Sequence, residues 1–460
     1  MTYFSKDKLF RLFIVIVGLL LLVTMNEYTW KFLFDKDGTL EDVNRLIFFL
    51  FDLFIIAIII LSIYVNSVKD FILNFLLSTG SILILIVVME ILFPKVIYTL
   101  PIGLQRFLKQ STIPLAISTK KYTVPKDYTL IVGDSFAEGA GDLYLKQNKW
   151  KNGQYSSGHF LHEITTKDFL QIGIGGAGSA NGIVIKPLTY LNHYRARIPL
   201  TNPKEVLIYY YEGNDLNNNL RYINKYLSIE NNLFSDVEIY KHFDTRLNKN
   251  FKETAGEKLW FIIFIKNLLY NALNLVANYI YDNSDHLHSG HLKIDLYNNL
   301  DSSSIKDYNS SQNKIKLDNV IIDLPDSLQG PAMELTNREI LVSLQLFYSS
   351  IKYLRSKLGE IPLSVVYIPS VVSCYRFEQS ISTQTYHNRK GIYTQKEIDR
   401  RSENNRLEIL KFCKNNGFNF IDPTSYLQNS GQLIHGPINY SHFNEFGYKM
   451  LAEFYHRNSM

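Results

Sequence analysis

Ser135 sits in the stretch TLIVGDSFAEGAGD (Thr129 to Asp142), directly after a short apolar run, with Gly133 placed to allow a sharp turn. A hydroxyl at the carboxyl end of a parallel strand lies where α/β folds build their sites. It becomes a nucleophile when a base stands within hydrogen-bond reach. The candidate base is 307 residues away: His442, in NYSHFNEFGY (Asn439 to Tyr448), just ahead of an expected final helix. Each residue alone is ordinary. Gly-Asp-Ser turns up by composition, serine is a common helix cap, and Ala137 at the second glycine position excludes the G-x-S-x-G elbow.

Two further stretches sharpen the pattern. QIGIGGAGSANG (Gln171 to Gly182) follows a second apolar run with glycines that let backbone N–H groups approach a ligand, and YEGNDLNNN (Tyr211 to Asn219) follows a third with an asparagine on a tight turn. Taken in order, the four stretches resemble the blocks of the SGNH, or GDSL, hydrolase family over roughly residues 128–450. Ser135 matches the family's serine, Gly176 its glycine, Asn214 its asparagine and His442 its histidine. The resemblance implies an SGNH-type, flavodoxin-like three-layer α/β domain with a parallel sheet. It also implies a serine esterase in which His442 takes the proton of Ser135. The N–H groups of Ser135 and Gly176 and the Asn214 amide would then hold the oxyanion. No metal or other cofactor is expected for this chemistry.

The chain departs from the family at Asn439, where the pattern has an aspartate three residues before the histidine. Asparagine can accept a hydrogen bond from imidazole but cannot stabilise imidazolium by charge; in serine proteases the analogous loss lowers turnover by about 10⁴. Three readings stay open: a Ser-His dyad, a carboxylate from elsewhere with Asp422 and Glu445 as candidates, or an inactive binding domain.

The elements that must position these residues can be read from periodicity. Strands are expected at 128–133, 168–174, 205–211, 362–368 and 418–422, alternating with helical stretches as in a parallel sheet flanked by helices. Thr336 and Glu339 form a capping box before an apolar stripe through Ile340, Leu344, Phe347, Ile351, Leu354 and Leu358, and Gly359 is its stop. A long insertion runs from about 216 to 335. Within it, the apolar stretch 259–281 is interrupted by Lys266, Asn267, Asn271, Asn274 and Asn278, which favours an amphipathic helix packed on the domain or lying on a membrane over a further span. The histidines of DHLHSGH (Asp285 to His291) match no zinc spacing and read as a solvated loop.

Residues 1–100 form a membrane region, with three transmembrane helices expected at about 11–25, 46–65 and 71–93. A linker at 101–127 leads to the domain at 128–460. The first apolar run lacks a small-residue cleavage site and reads as a retained anchor. With a basic N-terminal tail inside, three spans place the domain outside the cytoplasm. The net charge of +5 over 460 residues and the absence of basic runs with interleaved aromatics argue against nucleic acid, and two cysteines make neither a redox nor a metal motif. The expected partners are the lipid bilayer and a small-molecule or glycan acyl ester, with acylated cell-surface carbohydrate the substrate by family analogy. An O-acyltransferase using the same Ser-His site and an inactive carbohydrate-binding or assembly protein are the alternatives.

Overall fold

The computed structural model describes residues 6–24, 42–64, 68–100, 102–105, 107–121, 124–146, 155–227, 235–255, 259–281, 313–317, 320–326, 328–384 and 389–458. The chain divides into two compact units, residues 1–94 with 259–294, and residues 95–258 with 295–460. The DHLHSGH stretch lies outside the described residues.

The first unit is helical. Helices α1 (Lys6–Thr24) and α2 (Asp42–Tyr64) pack together, and Arg11 donates to the Ile63 carbonyl at 2.9 Å. The third helix, α3, spans Val68–Val96. Three membrane spans are expected from sequence, but among the described residues one helix, the 27-residue stretch Leu73–Thr99, is long and apolar enough to cross a bilayer. At 1.5 Å per residue it covers about 40 Å, whereas the apolar parts of α1 and α2 (Arg11–Thr24 and Phe49–Ile60) fall in the 10–17 residue class, about 15–25 Å, short of a 30 Å hydrocarbon core.

The helix Trp260–Tyr281, expected to pack on the domain or to lie on a membrane, belongs to this helical unit and packs on α2. Its first turn is capped by Glu90, which accepts from the N–H groups of Phe261 and Ile262 at 3.0 and 3.2 Å. Phe93 adds ring contacts to Phe261 and Phe264 at 5.5 and 5.2 Å. Asn267, Asn271 and Asn274 do not form an outward polar face. Asn267, Asn271 and Asn274 continue the helical stripe of buried Trp260 and Phe264, while Ile262, Lys266, Leu269 and Ala272 are exposed. Glu90 is therefore a helix cap.

The second unit is α/β. Five strands, β1 (Thr129–Gly133), β2 (Phe169–Gly173), β3 (Glu205–Tyr211), β4 (Leu363–Ile368) and β5 (Asn419–Ile421), form one parallel sheet in the order 2-1-3-4-5. The first four are apolar and buried nearly throughout, as expected where helices cover both faces. Successive tyrosines of β3 show the two-residue alternation: Tyr210 meets Phe347 at 4.9 Å, while Tyr209 bonds Ser157 and Tyr211 meets Phe136 at 4.2 Å. This strand order reverses direction between β1 and β3, and the crevice beyond their carboxyl ends is the natural ligand site.

Four helices matter for that crevice: α4 (Ser135–Glu138), α5 (Asp215–Tyr226), α6 (Asn337–Leu358) and α7 (Glu445–Asn458). The capping box of α6 is present, with Glu339 N–H on Thr336 and the Glu339 carboxylate on the Thr336 N–H. The start of the insertion belongs to the domain. Its helix Asp236–Ala255 is tied to α6 by Ser349 and Lys352 on Asp236, at 2.5 and 3.1 Å, and by Tyr353 and Lys357 on Asp244, at 2.5 and 3.0 Å.

Candidate active site

Ser135 is the first residue of α4, immediately beyond β1. Asp134 caps this helix, its carboxylate accepting the Phe136 N–H at 2.9 Å. The helix is pressed against the end of β2: a Cβ on Gly173 would lie 1.9 Å from the Glu138 nitrogen, so only glycine permits the approach. Asn214 stands at the N-cap position of α5 beyond β3, its side chain making no capping bond, and Gly176 stands in the turn after β2 in a left-handed conformation, φ 68°. Since β1 lies between β2 and β3, the topology sets Gly176 and Asn214 on either side of the serine.

His442 reaches the same edge from the segment before α7. Its Nε2 is 2.8 Å from Ser135 Oγ, the pairing in which a neutral imidazole accepts the hydroxyl proton. Phe136 packs on the imidazole at 5.1 Å. Ser135 Oγ is also 3.3 Å from Asp134 Oδ2, the longer and weaker of its two contacts. The structure thus joins Ser135 to His442, and flanks them with Gly176 and Asn214; among the described contacts neither flanking residue bonds Ser135 directly. The Asn214 Oδ1 is buried with no partner among the described residues, a polar atom left for something else to satisfy.

Asn439 does not orient the histidine. Its Oδ1 accepts the Ser441 N–H at 3.0 Å, forming a local turn. The two substitute carboxylates are committed elsewhere: Asp422 to Arg406 at 3.1 Å and to the Thr424 N–H at 3.0 Å, Glu445 to Lys449 at 2.5 Å. His442 Nδ1 is buried with no hydrogen-bond partner among the described residues. Of the arrangements open from sequence, the geometry is that of a dyad.

Orientation comes instead from the backbone that carries the histidine. Asp142, 1% exposed, accepts the N–H groups of Ile438 at 3.0 Å and Asn439 at 2.7 Å. The neighbouring Gly141 has φ 149°, and a Cβ there would lie 2.1 Å from the Phe443 carbonyl oxygen. Tyr448 of α7 donates to the Ala140 carbonyl at 2.6 Å, and Tyr211 to that of Ser441 at 3.3 Å. The segment after Ser135 and the segment bearing His442 are thereby held face to face. The turn holding Gly176 is pinned from two sides, by Gly175 N–H on Glu138 at 3.0 Å and by Arg221 on the Gly176 carbonyl at 2.9 Å. Asp142, Glu138 and Arg221 carry no sequence signature, because their partners are main-chain atoms of remote segments.

The electrostatics follow from burial. Desolvation lowers His442 from 6.5 to about 4, which keeps it unprotonated, and lowers His435 to about 3, with His442 adding to the effect. Desolvation raises Asp134 to about 7 against the opposing bonds from Phe136 and Ser135. It raises Asp215 as well, with Asp134 nearby adding to the rise. The buried Asp134 and Asp215 carboxyls therefore retain protons above the ordinary carboxylate range. Among the described residues no group of three or more His, Cys, Asp or Glu is placed to hold a metal. Comparison with protein-family models, curated proteins and solved structures found no match.

Proposed function

We propose that this protein is a membrane-anchored serine hydrolase of the SGNH type that cleaves an O-acyl ester. The observation that carries the reading is the 2.8 Å contact between Ser135 Oγ and His442 Nε2 at the carboxyl edge of a parallel sheet. Ser135 attacks the ester carbonyl as His442 takes its proton, and His442 returns the proton to the leaving alcohol. The N–H groups of Ser135 and Gly176 and the Asn214 amide are the donors assigned to the tetrahedral oxygen; removing one such donor typically costs about 3 kcal/mol of transition-state stabilisation. Water then releases the acyl group from Ser135; a hydroxyl acceptor in its place would make the same site a transferase.

On this reading α1 and α2 join Leu73–Thr99 in the membrane, the domain lies outside the cytoplasm, and the ester is borne by a cell-surface carbohydrate. The test is hydrolysis of aryl acetates and acetylated sugars by the full-length protein and its Ser135→Ala variant. Activity lost with the hydroxyl supports the assignment; equal activity in both overturns it. One observation favours the inactive-binding alternative, the unpartnered Nδ1 of His442. That alternative requires saturable ligand binding with no turnover of any ester in the panel.

A further inference from the structure

A cavity of about 680 Å³ opens at the opposite edge of the sheet from Ser135. Its walls include Tyr98, Lys121, Lys126, Asp127 and Thr201, and every lining residue belongs to the domain that begins at Lys95. Lys126 and Asp127 lead into β1, and Thr201 precedes β3, so the cavity sits among the loops at the amino ends of the strands.

The site is built, not incidental. Asp168, 5% exposed, accepts the Lys121 N–H at 3.0 Å and the Lys126 N–H at 3.1 Å, fixing both ends of the segment that presents the two lysines. Lys120 stands next to them, its Nζ 5.1 Å over the Tyr98 ring and bonded to the Leu115 carbonyl at 2.7 Å. Burial lowers Lys120 to about 7, partly offset by Asp168, so an arriving anion would favour its charged form. Asp127 is held at 3.3 Å by Lys204. The segment from Pro94 to Lys126 carries Lys95, Arg106, Lys109, Lys120, Lys121 and Lys126 and no acidic residue. The lining thus suits a singly charged oxyanion.

Position identifies the source of that anion. Tyr98 is the penultimate residue of the apolar stretch Leu73–Thr99, whose outward side chains Ile91, Leu92 and Val96 are exposed hydrocarbon. Tyrosine at the end of a span marks the headgroup layer, and basic clusters directly after a span recognise anionic lipid. We propose that this cavity holds the headgroup phosphate of an anionic phospholipid at the end of the Leu73–Thr99 helix. The proposal rests on that helix spanning the membrane and is independent of the chemistry at Ser135.

The experiment uses full-length protein in detergent, with lipid retention by native mass spectrometry and the thermal midpoint as readouts. Phosphatidylglycerol, phosphatidylcholine and inorganic phosphate are added separately. Phosphatidylglycerol should bind and stabilise, and phosphatidylcholine should not. Lys121→Ala/Lys126→Ala should weaken phosphatidylglycerol binding about 30-fold, roughly 5-fold per lysine, while Lys121→Arg/Lys126→Arg retains it and Lys249→Ala, on the distant helix Asp236–Ala255, leaves it unchanged. Equal retention of the two lipids, undiminished binding by the double alanine variant, or equal stabilisation by inorganic phosphate would each overturn the proposal, the last by showing an anion site with no lipid preference.

Discussion

Replacing Asn439 by aspartate tests what limits His442 as a base. Among the described residues the imidazole has one hydrogen-bond partner, Ser135 Oγ at 2.8 Å, and its buried Nδ1 has none. Its pKa falls from 6.5 to about 4 by burial, a penalty of about 3 kcal/mol on the imidazolium that must form as Ser135 attacks. Asp142 already fixes the backbone of residue 439, at 2.7 Å, so Asn439→Asp adds a charge without freeing the loop. To use it, the new carboxylate must turn away from the Ser441 N–H, which the Asn439 oxygen now accepts at 3.0 Å. Recovery of half the penalty would raise kcat/KM about 20-fold and recovery of all of it about 300-fold, below the factor of about 10⁴ for the same exchange in serine proteases. The acid limb of the pH profile must move with it. Only neutral His442 can act as a base, so activity in the parent is retained down to the neighbourhood of pH 4, and a new negative charge shifts the loss of activity upward toward 6.5. The assay is kcat/KM on a small aryl ester from pH 4 to 9. An acid limb that moves upward with no gain above pH 7 would refute the reasoning, because the imidazolium would have been stabilised without effect on the rate.

Asp142→Ala should lower kcat by about 10-fold or more with little change in KM, since it frees the loop carrying the base and leaves substrate contacts alone; Asp142→Asn, which keeps one acceptor, should fall between the two, and a KM effect alone would contradict this role. Gly141→Ala places a methyl group 2.1 Å from the Phe443 carbonyl oxygen, and the shift of the loop it forces should cost about 100-fold in kcat/KM, against little change for alanine at exposed Gly103, where a Cβ meets nothing within 4 Å. Stability should fall on acidification from pH 6.5 toward 5. Burial lowers His159, His193, His242, His435 and His442, so the unfolded chain takes up protons there that the fold does not. The fold in turn retains protons on Asp134, Asp215 and Glu334 that the unfolded chain has lost. The histidines outnumber the carboxyls, so the unfolded state takes up the net protons and stability is lost as the pH falls through this interval; a thermal midpoint that rises on acidification from pH 6.5 to 5 would contradict it.

The parts of this molecule that sequence reveals are those whose physics is local. All five strands fall within a residue or so of their expected places; for the first four the reason is that a strand buried on both faces must be a short continuous apolar run closed by turn residues. The α6 cap was readable for the same reason, a Thr and a Glu three apart serving each other's backbone. Ser135 and His442, 307 residues apart, could be paired only through the resemblance of four ordered stretches to the SGNH blocks. Asp142 escaped notice, although it stands in the quoted serine stretch, because a carboxylate gripping amides 296 and 297 residues away has no spacing to betray it. The helix Trp260–Tyr281 misled for a related reason: its asparagine stripe has helical period whether it faces water or a neighbouring helix, and periodicity carries no sign for inside and outside.

The central claim, that Ser135 is a nucleophile activated by His442, is tested most directly by labelling the folded full-length protein with a fluorophosphonate and mapping the adduct by mass spectrometry. A single adduct on Ser135, lost on heat denaturation and strongly slowed in His442→Ala, is the predicted result. Failure of Ser135 to react in the folded protein, or equal reaction with and without His442, would contradict it.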